Sequence, residues 1–192
     1  MTLQRLDTLR SEIAKCDLCT AQLPYPPRPV CQLASEAKIL IIGQAPGLKV
    51  QQSGVPFDDA SGERLRHWLG VNATEFYNPQ HFAILPMGLC YPGRGKSGDL
   101  PPLPICARTW HSQVLAQLTH VKLTLLIGKY AQDHYLEDKL NLTARTLQWR
   151  NYWPDYLPIP HPSGRNNIWL KKNPWFIEEV VPVLRDRVKT LL

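Results

Sequence analysis

Four of the five cysteines have spacings that suit a metal site. Cys16 and Cys19 are separated by two residues, and Cys90 and Cys106 are separated by fifteen. A Cys-x2-Cys pair with two remote cysteines is typical of a four-thiolate site, which holds either zinc or an iron–sulfur cluster. The alternative is four unrelated buried cysteines. The spacing alone does not choose between zinc and iron, and it assigns nothing to Cys31.

Two polar segments have the composition of ligand-binding loops. Gly43-Gln-Ala-Pro-Gly47 follows the apolar run 38–42, and its glycines and proline shape a tight turn whose N–H groups can contact a ligand. His161-Pro-Ser-Gly-Arg-Asn166 follows a second, much later apolar segment. We therefore ask whether the fold brings the two segments together.

The elements that must position these loops alternate along the chain. Strands are predicted at 38–43, 81–85, 121–128 and 157–161, and helices at 2–15, 61–69, 103–118, 129–136 and 174–191. Ser61 is the predicted N-cap of the second helix. This order favours a three-layer α/β/α sandwich with a central, mostly parallel, short-stranded sheet. Ligands of such sheets bind beyond the carboxyl ends of the strands, so both loops should face one crevice.

Length and composition indicate a single domain spanning 1–192 with a basic surface. Hydrophobic residues make up 44% of the chain and charged residues 20%, which is ordinary for a globular protein. The net charge of +6 suits an anionic partner, nucleic acid first, although a basic enzyme would look the same. No apolar run is long enough to cross a membrane, and the amphipathic N-terminus lacks a signal-peptide core. We expect a cytoplasmic monomer without membrane contact.

The motifs together resemble the uracil-DNA glycosylase superfamily, nearest its iron–sulfur branches, families 4 and 5. The resemblance runs from about Cys16 to Trp175. Gly43-Gln-Ala-Pro-Gly47 matches the family 4 motif G-E-A-P-G apart from one residue, and 54–57 matches G-x-P-F. The segment from His161 is similar to the motif H-P-S and to H-P-S-P-R-N of the single-strand-selective glycosylases.

The resemblance implies a cofactor and a DNA-repair activity. It implies that Cys16, Cys19, Cys90 and Cys106 hold a 4Fe-4S cluster, with zinc as the less favoured alternative. This cluster would tie the N-terminal helix to the domain. The implied activity is hydrolysis of an N-glycosidic bond in base excision repair, on a nucleotide drawn out of the DNA stack into a pocket.

The resemblance also implies roles for individual residues. Phe57 would stack on the base, and His161 would stabilise the anion on the departing base. The backbone near Gly43 and Ala45 would contact the base. Predicted contacts with DNA are Ser163, Gly164, Arg165 and Asn166 in the last loop, and Arg94 and Lys96 as phosphate contacts.

The sequence departs from the family pattern at the catalytic acid. Family 4 has Glu where this chain has Gln44, and an amide cannot act as a base. Another branch has G-Q-D-P, whose catalytic Asp falls on Ala45. Asp59 is the predicted replacement, with Asp58 as the alternative, to stabilise the sugar cation or orient water. A carboxylate at a helix N-terminus would look the same. Gln44 would position the base or water through hydrogen bonds.

A second departure concerns base recognition. Family 4 has an Asn four residues before its third cysteine, and Pro86 stands there in this chain. The backbone of Met87 or Gly88 is therefore expected to contact the base, and uracil or another deaminated base is the expected substrate, in single- or double-stranded DNA. The rival hypothesis is a catalytically silent protein that binds damaged or single-stranded DNA.

Overall fold

Four parallel strands form the central sheet. The structure is a computed structural model that describes the backbone of residues 2–192 and the side chains from residue 5 onward. The central sheet consists of β1 (Ile39–Ile42), β2 (Phe82–Ile84), β5 (Leu123–Ile127) and β6 (Tyr156–Ile159). Two further short strands are β3 (Arg94–Gly95) and β4 (Gly98–Asp99). The sheet has the order β2-β1-β5-β6, while β3 and β4 form a separate antiparallel hairpin. All neighbouring strands of the sheet are parallel, as the apolar runs predicted.

The helices, which lie before, between and after the strands, include all five predicted ones. They are α1 (Thr2–Ala14), α2 (Leu48–Ser53), α3 (Ala60–Leu69), α4 (Ala73–Phe76), α5 (Pro104–Cys106), α6 (Ser112–Leu115), α7 (Lys129–Tyr135), α8 (Leu142–Leu147), α9 (Asn167–Lys172) and α10 (Val181–Leu191). A π-helical turn at Ala107–His111 divides the predicted helix 103–118, and another at Phe176–Val180 precedes α10. Among the described residues, no helix is long and apolar enough to span a bilayer.

Each face of the sheet is covered by its own apolar core. Side chains alternate across a strand, so Leu40 and Ile42 face one core while Ile39 and Ile41 face the other. The first core contains Leu6, Leu9 and Ile13 of α1, Val114 of α6 and Ala131 of α7. The second contains Leu65 and Leu69 of α3 with Leu184 and Val188 of α10. These layers confirm the predicted α/β/α sandwich. Helical spacing in the sequence also predicts Leu3 on the face of α1 that contains Leu6, and the side chain of Leu3 lies outside the described residues.

The start of α3 differs from the prediction. Asp59, not Ser61, is the N-cap, and its Oδ1 accepts a hydrogen bond from the N–H of Gly62 at 2.9 Å. Asp and Ser are both strong N-caps, so the sequence allowed either. The helix therefore begins at Ala60, and Ser61 lies in its first turn.

Candidate active site

A cavity of about 360 Å³ lies at the carboxyl ends of β1 and β6. Its volume falls within the range of small-molecule sites. Both predicted loops line it, as expected for parallel strands that end at one edge. The predicted residues in its lining are Gly43, Gln44, Ala45, Phe57, Asp59, His161, Ser163, Arg165 and Asn166.

Five other predicted residues do not line this cavity. Asp58 is exposed, and its charge acts on Tyr77 instead. Gly164 begins the 3-10 turn of the last loop, Gly164–Asn166. Arg94 and Lys96 are exposed on the hairpin, outside the cavity. The fifth is Gly88, which lies behind the cavity wall.

One hydrogen bond to the ring and the burial of the side chain define the protonation state of His161. Its Nδ1 lies 3.2 Å from the backbone nitrogen of Ser163. An N–H can only donate, so Nδ1 accepts and the proton of the neutral ring is on Nε2. Burial lowers the pKa of His161, while the carboxylate of Asp59 acts in the opposite direction. The ring is therefore a neutral Nε2–H donor at neutral pH. The side chain of Asn166 donates to the backbone carbonyl of His161 at 2.7 Å, which holds the backbone of His161 in place.

Phe57 is held in a strained backbone conformation at the cavity wall. Its φ of +56° lies in the left-handed region, which non-glycine residues rarely adopt. Tyr77 Oη donates to the Phe57 carbonyl at 3.3 Å, and the Arg66 guanidinium lies 3.5 Å from the same oxygen. A Cβ on Gly62 would lie 1.7 Å from that oxygen, so only glycine permits this approach. Strain of this kind costs about 1–3 kcal/mol and is concentrated at functional sites.

The cavity wall formed by the Gly43–Gly47 turn is closed by internal hydrogen bonds. The N–H of Met87 donates to the Gly43 carbonyl and the N–H of Gly88 to the Gln44 carbonyl, each at 2.9 Å. These N–H groups, expected to contact the base, are thus occupied within the protein. The reason is that 87–88 continues the pairing of β1 and β2 beyond their ends. A Cβ on Gly88 would also meet Ala45 Cβ at 3.4 Å, which places Gly88 behind the lining.

His111 holds the same wall from behind. Its Nε2 lies 3.1 Å from the carbonyl oxygen of Pro86 and its Nδ1 lies 2.5 Å from Tyr135 Oη. A carbonyl only accepts, so Nε2 carries the proton and Tyr135 donates to Nδ1. Burial lowers the pKa of His111 to about 4, and the charge of His134 adds to this effect. The Pro86 carbonyl is thus also engaged inside the protein.

The loop 161–166 is attached to α3. Arg64 donates to the Ser163 carbonyl at 3.2 Å and to Asn167 Oδ1 at 2.8 Å. Asp59, at the N-terminus of the same helix, lines the cavity, and its charge acts on His161. One helix therefore contacts both ends of the cavity.

The family follows from comparison with known proteins. Residues 31–185 match the model of the Uracil DNA glycosylase superfamily. The chain belongs to this superfamily. Among solved structures it is similar to a solution NMR structure from Methanosarcina acetivorans, provisionally assigned as a uracil DNA glycosylase. The two chains are 15% identical, the alignment covers 88% of this chain and 98% of the other, and the TM-score is 0.49.

Asp99 also lines the cavity, and the sequence did not suggest it as a site residue. It lies in β4 and contributes to the cavity beside Gln44 and Gly47. The segment 94–99 is too short and too polar to show strand periodicity. The glycines in "GRGKSGD" were the available signal, because Gly98 has a φ of +135° and turns the hairpin toward the cavity.

The four thiols with cluster spacing interact with one another electrostatically. Cys19 makes a side-chain hydrogen bond with Cys106, and the charges of Cys106, Cys16 and Cys19 all act on Cys90. All five cysteines are free, and the match to the superfamily begins after Cys19. The described residues contain no group of three or more His, Cys, Asp or Glu side chains placed to hold a metal.

Cys31 lies apart from that group. It lines a different pocket with Arg10 and Gln32, and burial raises its pKa to about 11. Such a thiol is protonated at neutral pH and therefore a poor nucleophile.

Proposed function

We propose that the protein is a monofunctional DNA glycosylase that hydrolyses the N-glycosidic bond of uracil or another deaminated base. The observation that carries this proposal is the pairing of Phe57 and a neutral His161 in one cavity. An aromatic face and a hydrogen-bond donor are what a flipped base requires. Membership of the superfamily supports the reaction class, and the preferred base is part of the proposal.

Loss of the base leaves positive charge on the sugar and negative charge on the base. The Nε2–H of His161 donates to the oxygen where the negative charge develops, which is the effect of an oxyanion hole. A neutral donor suits this role because it needs no proton transfer to act. Phe57 stacks on the base, and the hydrogen bonds at its carbonyl hold the backbone that carries the ring.

Asp59 and Gln44 are given supporting roles. One oxygen of Asp59 caps α3, while its charge faces the cavity and stabilises the sugar cation. Gln44 Nε2 donates to the Leu100 carbonyl at 3.2 Å, which leaves its Oε1 to accept a hydrogen bond from the base or from water. Gly43 and Ala45 form the wall that the base contacts.

DNA binding is assigned to the basic surface around the cavity mouth. Ser163, Gly164, Arg165 and Asn166 form the loop that enters the gap left by the flipped base, and Arg94 and Lys96 contact phosphates. We expect affinity for DNA to fall with salt, because these contacts release counterions.

We also propose that Cys16, Cys19, Cys90 and Cys106 hold a 4Fe-4S cluster. The electrostatic interactions among these four thiols support a shared group, and none of the four is engaged in a disulfide. The cluster would be structural, since hydrolysis transfers no electrons. Broad visible absorbance with about four irons per chain supports it. A colourless protein with about one zinc per chain would replace it by zinc.

Base release tests the proposed function directly. Oligonucleotides carrying uracil, hypoxanthine or xanthine, single- and double-stranded, are incubated with excess protein, and abasic sites are revealed by alkaline cleavage. We expect release from at least one base. His161→Ala should slow it by about 10²–10³-fold with DNA binding retained.

The rival function is a catalytically silent binder of damaged or single-stranded DNA. Gln44 and Pro86 favour it, because they line the cavity where the family 4 pattern has a Glu and an Asn. Binding to DNA without release of any of the three bases would support this rival and refute the glycosylase.

A further inference from the structure

A short hairpin positions one carboxylate over the candidate active site. In the hairpin, Arg94 pairs with Asp99 and Gly95 with Gly98. Two hydrogen bonds fix its exit: the Leu100 N–H donates to the Gly93 carbonyl at 2.8 Å, and Gln44 donates to the Leu100 carbonyl at 3.2 Å. Asp99 is thus adjacent to a residue that is bonded to the Gly43–Gly47 turn.

The other side of the hairpin packs against the last loop. A Cβ on Gly98 would lie 1.4 Å from Nη1 of Arg165, so the guanidinium occupies the space above this glycine. The hairpin is therefore fixed between the two loops that form the cavity.

Asp99 itself lies between these two contacts. Its Oδ2 is 3.7 Å from the position a Cβ on Gly47 would take, and its charge acts on His161. Asp59 also faces His161, but one of its oxygens is used to cap α3. Within the described part of the chain, the Asp99 carboxylate has no hydrogen-bond or ion-pair partner and is exposed. Its oxygens are therefore available to accept hydrogen bonds from water at the cavity mouth.

A base speeds the attack of that water, and apart from Asp59, which caps α3, the residues around His161 do not supply one. Ala45 ends in a methyl group, Gln44 is an amide, and the Nδ1 lone pair of His161 already accepts from Ser163. We propose that Asp99 is the water-activating carboxylate of this glycosylase, an inference that rests on the proposed function. Asp59 then has the separate task of stabilising the sugar cation.

The step balances as a hydrolysis. The C1′–N bond breaks and its electron pair leaves with the base, whose anion accepts the Nε2–H hydrogen bond of His161. The water oxygen forms a bond to C1′ while one of its protons passes to the Asp99 carboxylate. That proton returns to solvent, and the released base takes up one proton from solvent. The products are an abasic site and the neutral base.

The test compares two substitutions that each remove one negative charge. Asp99→Asn is nearly isosteric, while Glu63→Gln changes an exposed carboxylate in the first turn of α3 that does not line the cavity. Single-turnover base release is measured at saturating protein, and affinity is measured on a duplex with a tetrahydrofuran abasic-site analogue. We expect Asp99→Asn to slow release by about 10²-fold or more, as loss of a general base does. Affinity for the analogue should change by less than about threefold, and Asp99→Glu should recover part of the rate.

The outcomes separate this inference from the proposed function. No release by the wild-type protein from any substrate overturns both. Release by the wild type together with a normal rate for Asp99→Asn overturns the role of Asp99 alone. An equal loss in Glu63→Gln, or a loss in Asp99→Asn matched by weaker binding of the analogue, would show a general charge effect and also overturn it.

Discussion

The buried histidine behind the cavity wall makes stability depend on pH in a defined window. His111 is 2% exposed and neutral in the folded protein, and its neighbours within contact are Tyr135, His134 and the Pro86 carbonyl. Its pKa is lowered from 6.5 to about 4 by burial and by the charge of His134. The unfolded chain takes up a proton near pH 6.5, whereas the folded protein resists it until about pH 4. The contribution of His111 to stability is therefore complete above pH 6.5 and is lost as the pH falls through this window.

The size of the loss follows from the shift in pKa. Each unit of pKa is worth about 1.4 kcal/mol, so a shift from 6.5 to about 4 corresponds to about 3 kcal/mol. Below about pH 4 the group is protonated in both states and contributes no further change. The pKa of His161 is also lowered, and its effect has the same sign.

Urea unfolding between pH 7 and pH 4 measures this loss. His111→Gln removes the titrating group but keeps an amide that can donate to the Pro86 carbonyl. Between pH 7 and pH 4, the free energy of unfolding of this variant should therefore fall by up to about 3 kcal/mol less than that of the wild type. His134→Gln is the matched control, because His134 is exposed and makes the smallest contribution to the shift. Parallel curves for the wild type and His111→Gln would refute the reasoning.

Three further predictions concern the start of α3. Phe57→Gly should be about 1 kcal/mol more stable than Phe57→Ala in urea unfolding, because alanine at a φ of +56° keeps the strain that glycine removes; the reverse order would contradict this. Asp59→Ala should lose about 1 kcal/mol relative to Asp59→Asn in thermal unfolding, since asparagine can still accept from Gly62. Equal stabilities would mean that the cap contributes nothing. Gly62→Ala should cost about 1–3 kcal/mol and slow base release, because its Cβ would lie 1.7 Å from the Phe57 carbonyl oxygen. Wild-type stability and rate would show that the backbone relaxes without cost.

The sheet was predictable because its strands are buried on both faces. Runs such as 38–42 and 121–127 contain little but apolar residues, and parallel strands need that composition. Once the strands are parallel, their carboxyl ends share one edge. The meeting of Gln44 and His161 at one cavity therefore followed from topology, without knowledge of any contact.

The features that sequence reasoning missed depend on contacts between distant segments. The N–H groups of Met87 and Gly88 are paired with the turn after β1, and no local pattern reports such pairing. Asp99 reaches the cavity through a hairpin with two residues in each strand, in which glycine conformation matters more than hydrophobicity. The N-cap of α3 was ambiguous for a different reason, because Asp59 and Ser61 are both good caps and lie two residues apart.

The contacts that α3 makes with the cavity and with the last loop restrict where insertions and deletions can occur in related proteins. Asp59 and Arg64 are five positions apart: Asp59 caps the helix and lines the cavity, and Arg64 donates to the Ser163 carbonyl of the last loop. An insertion or deletion between them would turn Arg64 away from the last loop by about 100°, because a helix has about 3.6 residues per turn. We therefore expect functional relatives to keep this interval constant, so the interval itself is a marker for recognising them.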